Sequence, residues 1–505
     1  MIDESRSGVS PDEGAFRQVE ARLHRYGQGH VLRWWSELGE EQRRSLLGQI
    51  QRIDFDQLLQ LYKAYSRRGE TASTAADDVR PPSSIIGLPR GRSEQAEWDR
   101  AVRRGWELLE AGRVAAVVVA GGQGTRLKFR HPKGLFPIGP VSGCSLFQLF
   151  AEQVLARSRR AGRPIPYLIM TSEATHEETV QFFESHDFFG LLRDNVRFFR
   201  QGQMPVVDAA TGRLLLESKD RIATSPDGHG GLIAALARSG LLDWLAQHGI
   251  DLLFYHHVDN PCVKVCDPTF LGFHAMHDAE MSLKVVEKAY PEEKMGVVVE
   301  RDGKTQIIEY IDLPPEMAGE RDDRGRLRLW AGSPGIHVFS RFFLERLARQ
   351  GHGLPFHAAL KTVAYVDERG RRVEPAEPNA VKFERFIFDA LPLAERVVVV
   401  ETDRGQEFHP IKNCKQDDTT PDTPEAAREA LSTNWRRWLL AVGAQCEDVV
   451  TVEISPLVAL EPEDLRGIVQ PGATCSEALL LRPDPAECRG FDHRSSEPGG
   501  RQGRG

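Results

Sequence analysis

Residues 114–134 read VAAVVVAGGQGTRLKFRHPKG: an unbroken apolar run, three glycines, an arginine and, after a short basic stretch, Pro132-Lys133-Gly134. A short apolar run rich in valine and closed by glycine is how a strand buried on both faces of a parallel sheet is written. The glycines lack Cβ, so backbone N–H groups in the turn that follows can approach a phosphate or a base edge closely. A dinucleotide fingerprint requires a third glycine and an acidic residue about twenty positions on. Here Thr125-Arg126-Leu127 follows Gly124, and the later stretch reads GCSLFQ. A P-loop requires a lysine directly after its last glycine, and none stands there. What remains is a glycine turn to which Arg126 and a proline-fixed Lys133 bring two cations, as a polyphosphate requires. The plainer alternative is a tight strand-to-helix turn with a solvated basic surface; a bare GGxG would favour it, and Arg126 together with the proline-fixed Lys133 tips the reading toward phosphate binding.

Working outward, the spacing predicts further strands at Tyr167–Thr171, Asn195–Phe199, Leu252–Val258, Met281–Lys288 and Val397–Glu401. Between them LFQLFAEQVLARSRRAG and TVQFFESHDFFGL carry helical spacing. GVVVERDGKTQIIEY places Asp302-Gly303 between two β-rich runs, a hairpin signal that makes the sheet mixed. Before all of this, residues 12–66 recur apolar every three to four positions, and 67–95 is rich in Ser, Thr, Gly, Pro and charge. The expected organisation is an N-terminal helical extension and linker (1–95), an α/β domain (96–404), a small C-terminal α+β domain (405–483) and a frayed tail (484–505). No internal repeat is present.

At 505 residues the chain exceeds what one core usually organises. With 41% hydrophobic and 27% charged residues it has the composition of a globular protein. No stretch approaches the roughly 18 to 20 apolar residues of a spanning helix, and MIDESRSGVSPDEG lacks the basic start and apolar middle of a secretory signal. A cytoplasmic protein without membrane association is expected. The net charge of −8 disfavours a nucleic-acid binder, which must neutralise many phosphates. The seven cysteines form no CxxC pair, which argues against a disulfide framework or zinc site; Cys262 and Cys266 read as buried small hydrophobes.

The chain as a whole resembles the UTP-dependent sugar-1-phosphate uridylyltransferases, most closely their UDP-N-acetylglucosamine pyrophosphorylase branch. GGQGTRL followed by PKG resembles the family's nucleotide-binding signature. FFRQGQMPVVD (198–208), PDGHGG (226–231), YHHVDNPCVKVCDP (255–268), GVVVERDGKTQIIEY (296–310), VKFERFIFD (381–389) and EFHPIKN (407–413) follow in the family's order. The resemblance implies a Rossmann-like α/β nucleotidyltransferase core whose mixed sheet is mostly parallel, with the helical extension and small C-terminal domain. It implies transfer of a uridylyl group from UTP to a sugar 1-phosphate, with Mg²⁺, for which Mn²⁺ could substitute, by a monomer or homodimer.

Carried over by match, Lys133 contacts the α-phosphate or the attacking phosphate, and Arg126 the departing pyrophosphate. Lys382, on a predicted helix beginning VKFERF, is a second phosphate-binding lysine, and Lys412 a third. Asp259, where LLFYHHV ends, is the metal ligand, although a strand-end aspartate taken alone is usually a cap. Gly121, Gly122, the Gln201 amide and the backbone at Gly228 form the uracil-binding set. Gly296 and Glu309 hold sugar hydroxyls, and Phe386 and Phe388 line the pocket; core packing is the plainer role for the phenylalanines, and Glu309 could equally face solvent. Two positions depart from the branch. His229 stands where PDGNGG has asparagine, and Ser333 in AGSPGIHVF replaces an asparagine expected near the N-acetyl group. Uridine and phosphate positions are intact, which points to UTP; by overall similarity N-acetylglucosamine 1-phosphate comes first as acceptor, with glucose 1-phosphate or a broader set of hexose 1-phosphates second. His229 could instead be satisfied within its own loop. A non-catalytic nucleotide-sugar-binding protein, or a glycosyltransferase using a ready-made UDP-sugar, is the competing class; the presence of Arg126, Lys133, Asp259 and Lys382 together favours the enzyme.

Overall fold

The computed structural model of the protein describes residues 11–67, 79–351 and 353–483. The tail expected from 484 onward lies outside the described residues, as do residues 68–78 of the expected linker. Contacts group the described chain into two units that are not collinear with it. The first draws on residues 11–67, 202–231 and 354–387, the second on 79–201, 232–351 and 388–483.

In the first unit, helices Pro11–Arg25, Glu40–Gln51 and Phe55–Ser66 follow the apolar spacing. The last starts where the Asp54 carboxylate accepts from Gln57 N at 3.0 Å. Their buried Leu23, Leu46, Ile50 and Phe55 do not close a core alone; they share it with Val207, Leu214, Ile222, Val381 and Phe383. A three-stranded antiparallel sheet supplies several of these, with Ala380–Arg385 between Phe356–Lys361 and Val207–Asp208. Lys382 therefore lies on a strand, opposite Ala359, and not on the expected helix. The physical reason is alternation: Val381 and Phe383 are buried while Lys382 and Glu384 are not, and so short an apolar run fits either period until a partner strand selects one.

The second unit is built on ten strands: β1 (Val114–Val119), β2 (Tyr167–Thr171), β3 (Val196–Arg200), β4 (Leu252–His257), β5 (Met281–Glu287), β6 (Val297–Arg301), β7 (Lys304–Ile308), β8 (Ala331–Gly332), β9 (His337–Ser340) and β10 (Val397–Glu401). Their order is β7-β6-β8-β5-β9-β4-β1-β2-β3, with β10 also pairing β5. β4, β1, β2 and β3 run parallel, as does the β5–β10 pair; β9 enters antiparallel between β4 and β5. The expected mixed α/β sheet with a parallel core holds, and the six predicted strands are present with ends shifted by at most one residue. The Asp302-Gly303 hairpin is present too, both residues at positive φ (54° and 69°) between β6 and β7.

Helix Leu146–Ala161 covers the core behind β1, capped by the Ser145 hydroxyl at its start and closed by Gly162 at φ 64°. A helix that the sequence reading did not single out, Arg92–Glu110, crosses the boundary expected at residue 96, and the Glu94 carboxylate turns back to accept from Gly91 N at 3.2 Å at its start. It packs on helix Pro268–Met276 through two glycines. A Cβ on Gly105 would overlap the Pro268 backbone, and one on Gly272 the Ala101 backbone. Cys262 and Cys266 are buried members of this core, as expected.

Candidate active site

β1 is buried throughout its first five residues and empties at Ala120 into the glycine turn. A side chain at Gly121 would have to displace the Gln201 amide, since a Cβ there would stand 2.6 Å from Gln201 Oε1 and 3.3 Å from Ser172 N. Gln201 continues from β3, its N–H bonded to Thr171 O at 2.9 Å, and only 8% of it is exposed. The amide expected near a base is thereby held against the first glycine. Gly122 is open, with nothing within 4 Å of a Cβ. The loop then folds back on itself: Gly124 N bonds His131 O and Lys133 N bonds Gly122 O, each at 3.1 Å. This returns Lys133 to the end of β1, and Gly134 fixes the approach because a Cβ there would overlap the Phe147 ring. Arg126, on the short turn Thr125–Leu127, is exposed.

Lys133 Nζ donates to Ile411 O at 3.4 Å, and Ile411 N donates to Asp259 O at 2.8 Å. Segments 133, 259 and 411, remote in sequence, thus meet at the carboxyl ends of β1 and β4. Burial pulls the Lys133 ammonium below its ordinary pKa, the Asp259 carboxylate opposes that, and the charges of Arg126 and Lys412 add to it. Burial alone would raise Asp259, but Lys133, His257 and Lys412 together hold its carboxyl below the ordinary value. Asp259 is accordingly ionised among cations. Lys412 is fixed from behind, its backbone N on Asp422 O at 2.7 Å and Nζ 3.4 Å from the Asp422 carboxylate.

Gly296, Glu309 and Ser333 come together. Ser333 N donates to Gly296 O at 2.9 Å, and a Cβ on Gly296 would lie 3.3 Å from Glu309 Oε1. Glu309 sits one residue past β7, half-buried. Two residues on, a Cβ on Gly335 (φ 72°) would stand 3.0 Å from the His257 ring, so the Ser333 turn abuts the Lys133–Asp259 cluster through His257. Within the first unit, Gly228 (φ 83°) packs so tightly on the Arg385 backbone that no side chain fits. His229 Nδ1 accepts from Ile387 N at 3.1 Å, and its ring stacks on Phe386 at 5.4 Å between centroids. The neutral ring therefore carries its proton on Nε2. Phe386 stacks in turn on His357 at 4.5 Å. Phe388, 8% exposed, lies on the short helix Ile387–Leu393.

Four contributors escaped sequence reasoning. His257 accepts or donates at Nε2 with Tyr255 OH at 2.7 Å and faces Asp259, Lys133 and Lys412. Asn260 donates to Glu407 O at 2.7 Å while its Oδ1 accepts from His409 N at 3.2 Å, tying the Asp259 turn to the segment that carries Lys412. Behind it, Lys284 bridges Asp267 and Glu407 at 2.7 and 2.6 Å, all three buried. His357 belongs to the stack on Phe386. YHHVDN holds both His257 and Asn260, but nothing in the string distinguishes them from core residues of a buried strand.

The family model described as UTP–glucose-1-phosphate uridylyltransferase matches residues 55–466. The mouse UDP-N-acetylhexosamine pyrophosphorylase-like protein 1 is 38% identical over 93% of this chain and 98% of its own length. UDP-N-acetylglucosamine pyrophosphorylase of Saccharomyces cerevisiae is 32% identical over 87% and 94%. Among solved structures, that of Trypanosoma brucei uridine diphosphate N-acetylglucosamine pyrophosphorylase in complex with an inhibitor superposes with a TM-score of 0.78 at 27% identity, over 95% of this chain and all of that one. A match of this extent, on a mixed sheet whose glycine turn, Lys133 and Asp259 meet at the strand ends, places the protein in one family: the chain belongs to the UTP–glucose-1-phosphate uridylyltransferases.

Proposed function

We propose that the protein transfers the uridylyl group of UTP to N-acetylglucosamine 1-phosphate, releasing pyrophosphate, and that it works in the cytoplasm; among the described residues no helix is long and apolar enough to cross a membrane. The observation that carries the chemistry is the placement of Lys133, Lys412 and an ionised Asp259 behind an open glycine turn. A phosphate oxygen of the sugar phosphate attacks the α-phosphorus of UTP in line and pyrophosphate departs opposite, so no protein nucleophile is required. Both reactants are anionic, and catalysis is positioning plus cancellation of charge on the phosphoryl oxygens. Lys133 serves the α-phosphate or the attacking phosphate, Arg126 the leaving pyrophosphate, with Lys382 and Lys412 as further phosphate ligands. Gly121, Gly122, Gln201 and Gly228 hold the uracil.

A divalent cation fits Asp259: Mg²⁺ is commonly held by one or two carboxylates together with substrate phosphates, and Mn²⁺ accepts the same oxygens. When bound it neutralises phosphate oxygens; the protein's own part is to keep Asp259 ionised and fixed at the strand end. On the acceptor side, the family resemblance assigns Gly296, Glu309, Ser333, His229, Phe386 and Phe388 to the sugar. The relatives' names favour the acetylated sugar, while His229 and Ser333 favour glucose 1-phosphate or a broader set as the second reading.

The test is pyrophosphate release with each of UTP, ATP, CTP, GTP and dTTP against a panel of hexose 1-phosphates. UTP with N-acetylglucosamine 1-phosphate is expected to give the highest kcat/KM, and loss of activity on removal of divalent cations is expected. Absence of pyrophosphate release with UTP and every sugar phosphate would overturn the enzyme.

A further inference from the structure

The cysteines look scattered in sequence, yet the fold places two of them face to face. Gln445–Cys446 and Thr474–Cys475 form a short parallel pair in which Cys446 and Cys475 are register partners. Neighbouring strands run about 4.8 Å apart, inside the Cα separation of roughly 4.4 to 6.8 Å that a disulfide spans. Both thiols are free and half-buried rather than sealed. Cys475 Sγ also reaches Glu477 O at 3.5 Å. No other two cysteines among the described residues are register partners; Cys262 and Cys266 sit in the core.

We propose that Cys446 and Cys475 are a dithiol that a hydroperoxide converts to an intrachain disulfide. Either sulfur can enter first, and the chemistry is the same when Cys475 does so. The Cys475 thiolate attacks one peroxide oxygen, the O–O bond breaks, and the departing alkoxide or hydroxide takes a proton, leaving a sulfenic acid. The Cys446 sulfur then attacks the Cys475 sulfur and water leaves. Two thiols and one hydroperoxide give one disulfide, one alcohol or water, and one further water; two electrons pass from the sulfurs to the peroxide. A thiol reductant reverses the bond by exchange.

The closed segment contains strand Val452–Ile454, and its Glu453 carboxylate accepts from Val141 N and Ser142 N, each at 2.7 Å. The bond therefore braces the turn that follows Lys133–Gly134. Closing a loop of about 30 residues restricts the unfolded chain, and a rise in Tm on the order of 5 °C is expected.

The experiment treats the full protein with hydrogen peroxide, alkylates free thiols and digests it. Trypsin yields 438–466 and 467–489, and a further cut after Glu477 separates Cys475 from Cys488. Expected is a linked Cys446–Cys475 peptide, lighter by two hydrogens than the sum of its reduced halves and released by dithiothreitol. The Tm gain should appear in the wild type and in C488S, and be absent from C446S and C475S. If both thiols are alkylated after peroxide, if Cys475 pairs with Cys488, or if Cys475 advances to sulfinic acid without pairing, the proposal is wrong. Melting of the reduced C446S protein shows whether that variant is folded; were it not, the peptide assay on wild type and C488S decides by itself.

Discussion

At the scale of single residues, Lys133 and Asp259 illustrate how one side chain sets another's charge. Each is pulled toward its neutral form by burial, and each opposes that in its partner. Lys133→Ala removes a cation from the phosphoryl oxygens, and kcat is expected to fall by about 100-fold or more. Full turnover in that variant, followed by pyrophosphate release, would remove Lys133 from the mechanism. His229 poses a question of specificity. Its Nδ1 accepts from Ile387 N, which fixes the ring within its loop. His229→Asn is expected to shift the kcat/KM ratio of acetylated over plain hexose 1-phosphate upward by about tenfold. An unchanged ratio would leave His229 as a loop-fixing residue. Arg126 and Lys133 were legible in the string because two cations beside a glycine turn suit a polyphosphate, and Asp259 through the resemblance of its motif; His257 was not, because only the fold brings Lys133 and Lys412 to it.

Among the elements, the crossing of helices Arg92–Glu110 and Pro268–Met276 depends on Gly105 and Gly272, where each helix meets the other's backbone. Gly105→Ala drives a methyl into Pro268, and a loss of roughly 1–3 kcal/mol is expected, read as a lower urea midpoint with an unchanged slope. An unaltered midpoint would mean that the helices separate without cost. The strands were the most legible elements, since β1, β2, β4 and β10 are apolar runs that must be covered on both faces. VKFERF was not legible, because Val381 and Phe383 satisfy either period over so few residues, and pairing with Phe356–Lys361 decides for the strand. The helical extension was visible, but its partners were not: the residues that complete its core lie some 150 and 330 positions downstream, at Val207 and Val381.

For the whole molecule, three histidines among the described residues are buried with pKa values depressed to about 3: His256, His274 and His337. Desolvation is the leading cause in each. In the unfolded chain these groups titrate near 6.5. Above that value both states are neutral there and stability is unaffected. Between about pH 6.5 and 3 the unfolded chain binds protons that the native one refuses, so stability falls as the pH falls, by about 1.4 kcal/mol per pH unit for each histidine at full effect. Tm is therefore expected to drop steeply from pH 7 to 5, and more shallowly in His274→Gln; equal slopes would exclude His274 as a contributor. By itself the sequence determined the parallel α/β core, the glycine turn, the family and the residue types of the phosphate site, because periodicity, turn chemistry and ordered motifs are local properties of a chain. Only the tertiary structure decided which of those residues meet: Ile411 linking Lys133 to Asp259, Gly335 bringing the Ser333 turn to His257, Cys446 facing Cys475. These are contacts between segments tens to hundreds of residues apart, and strand order, crossover and register, which no local pattern encodes, are what bring them together.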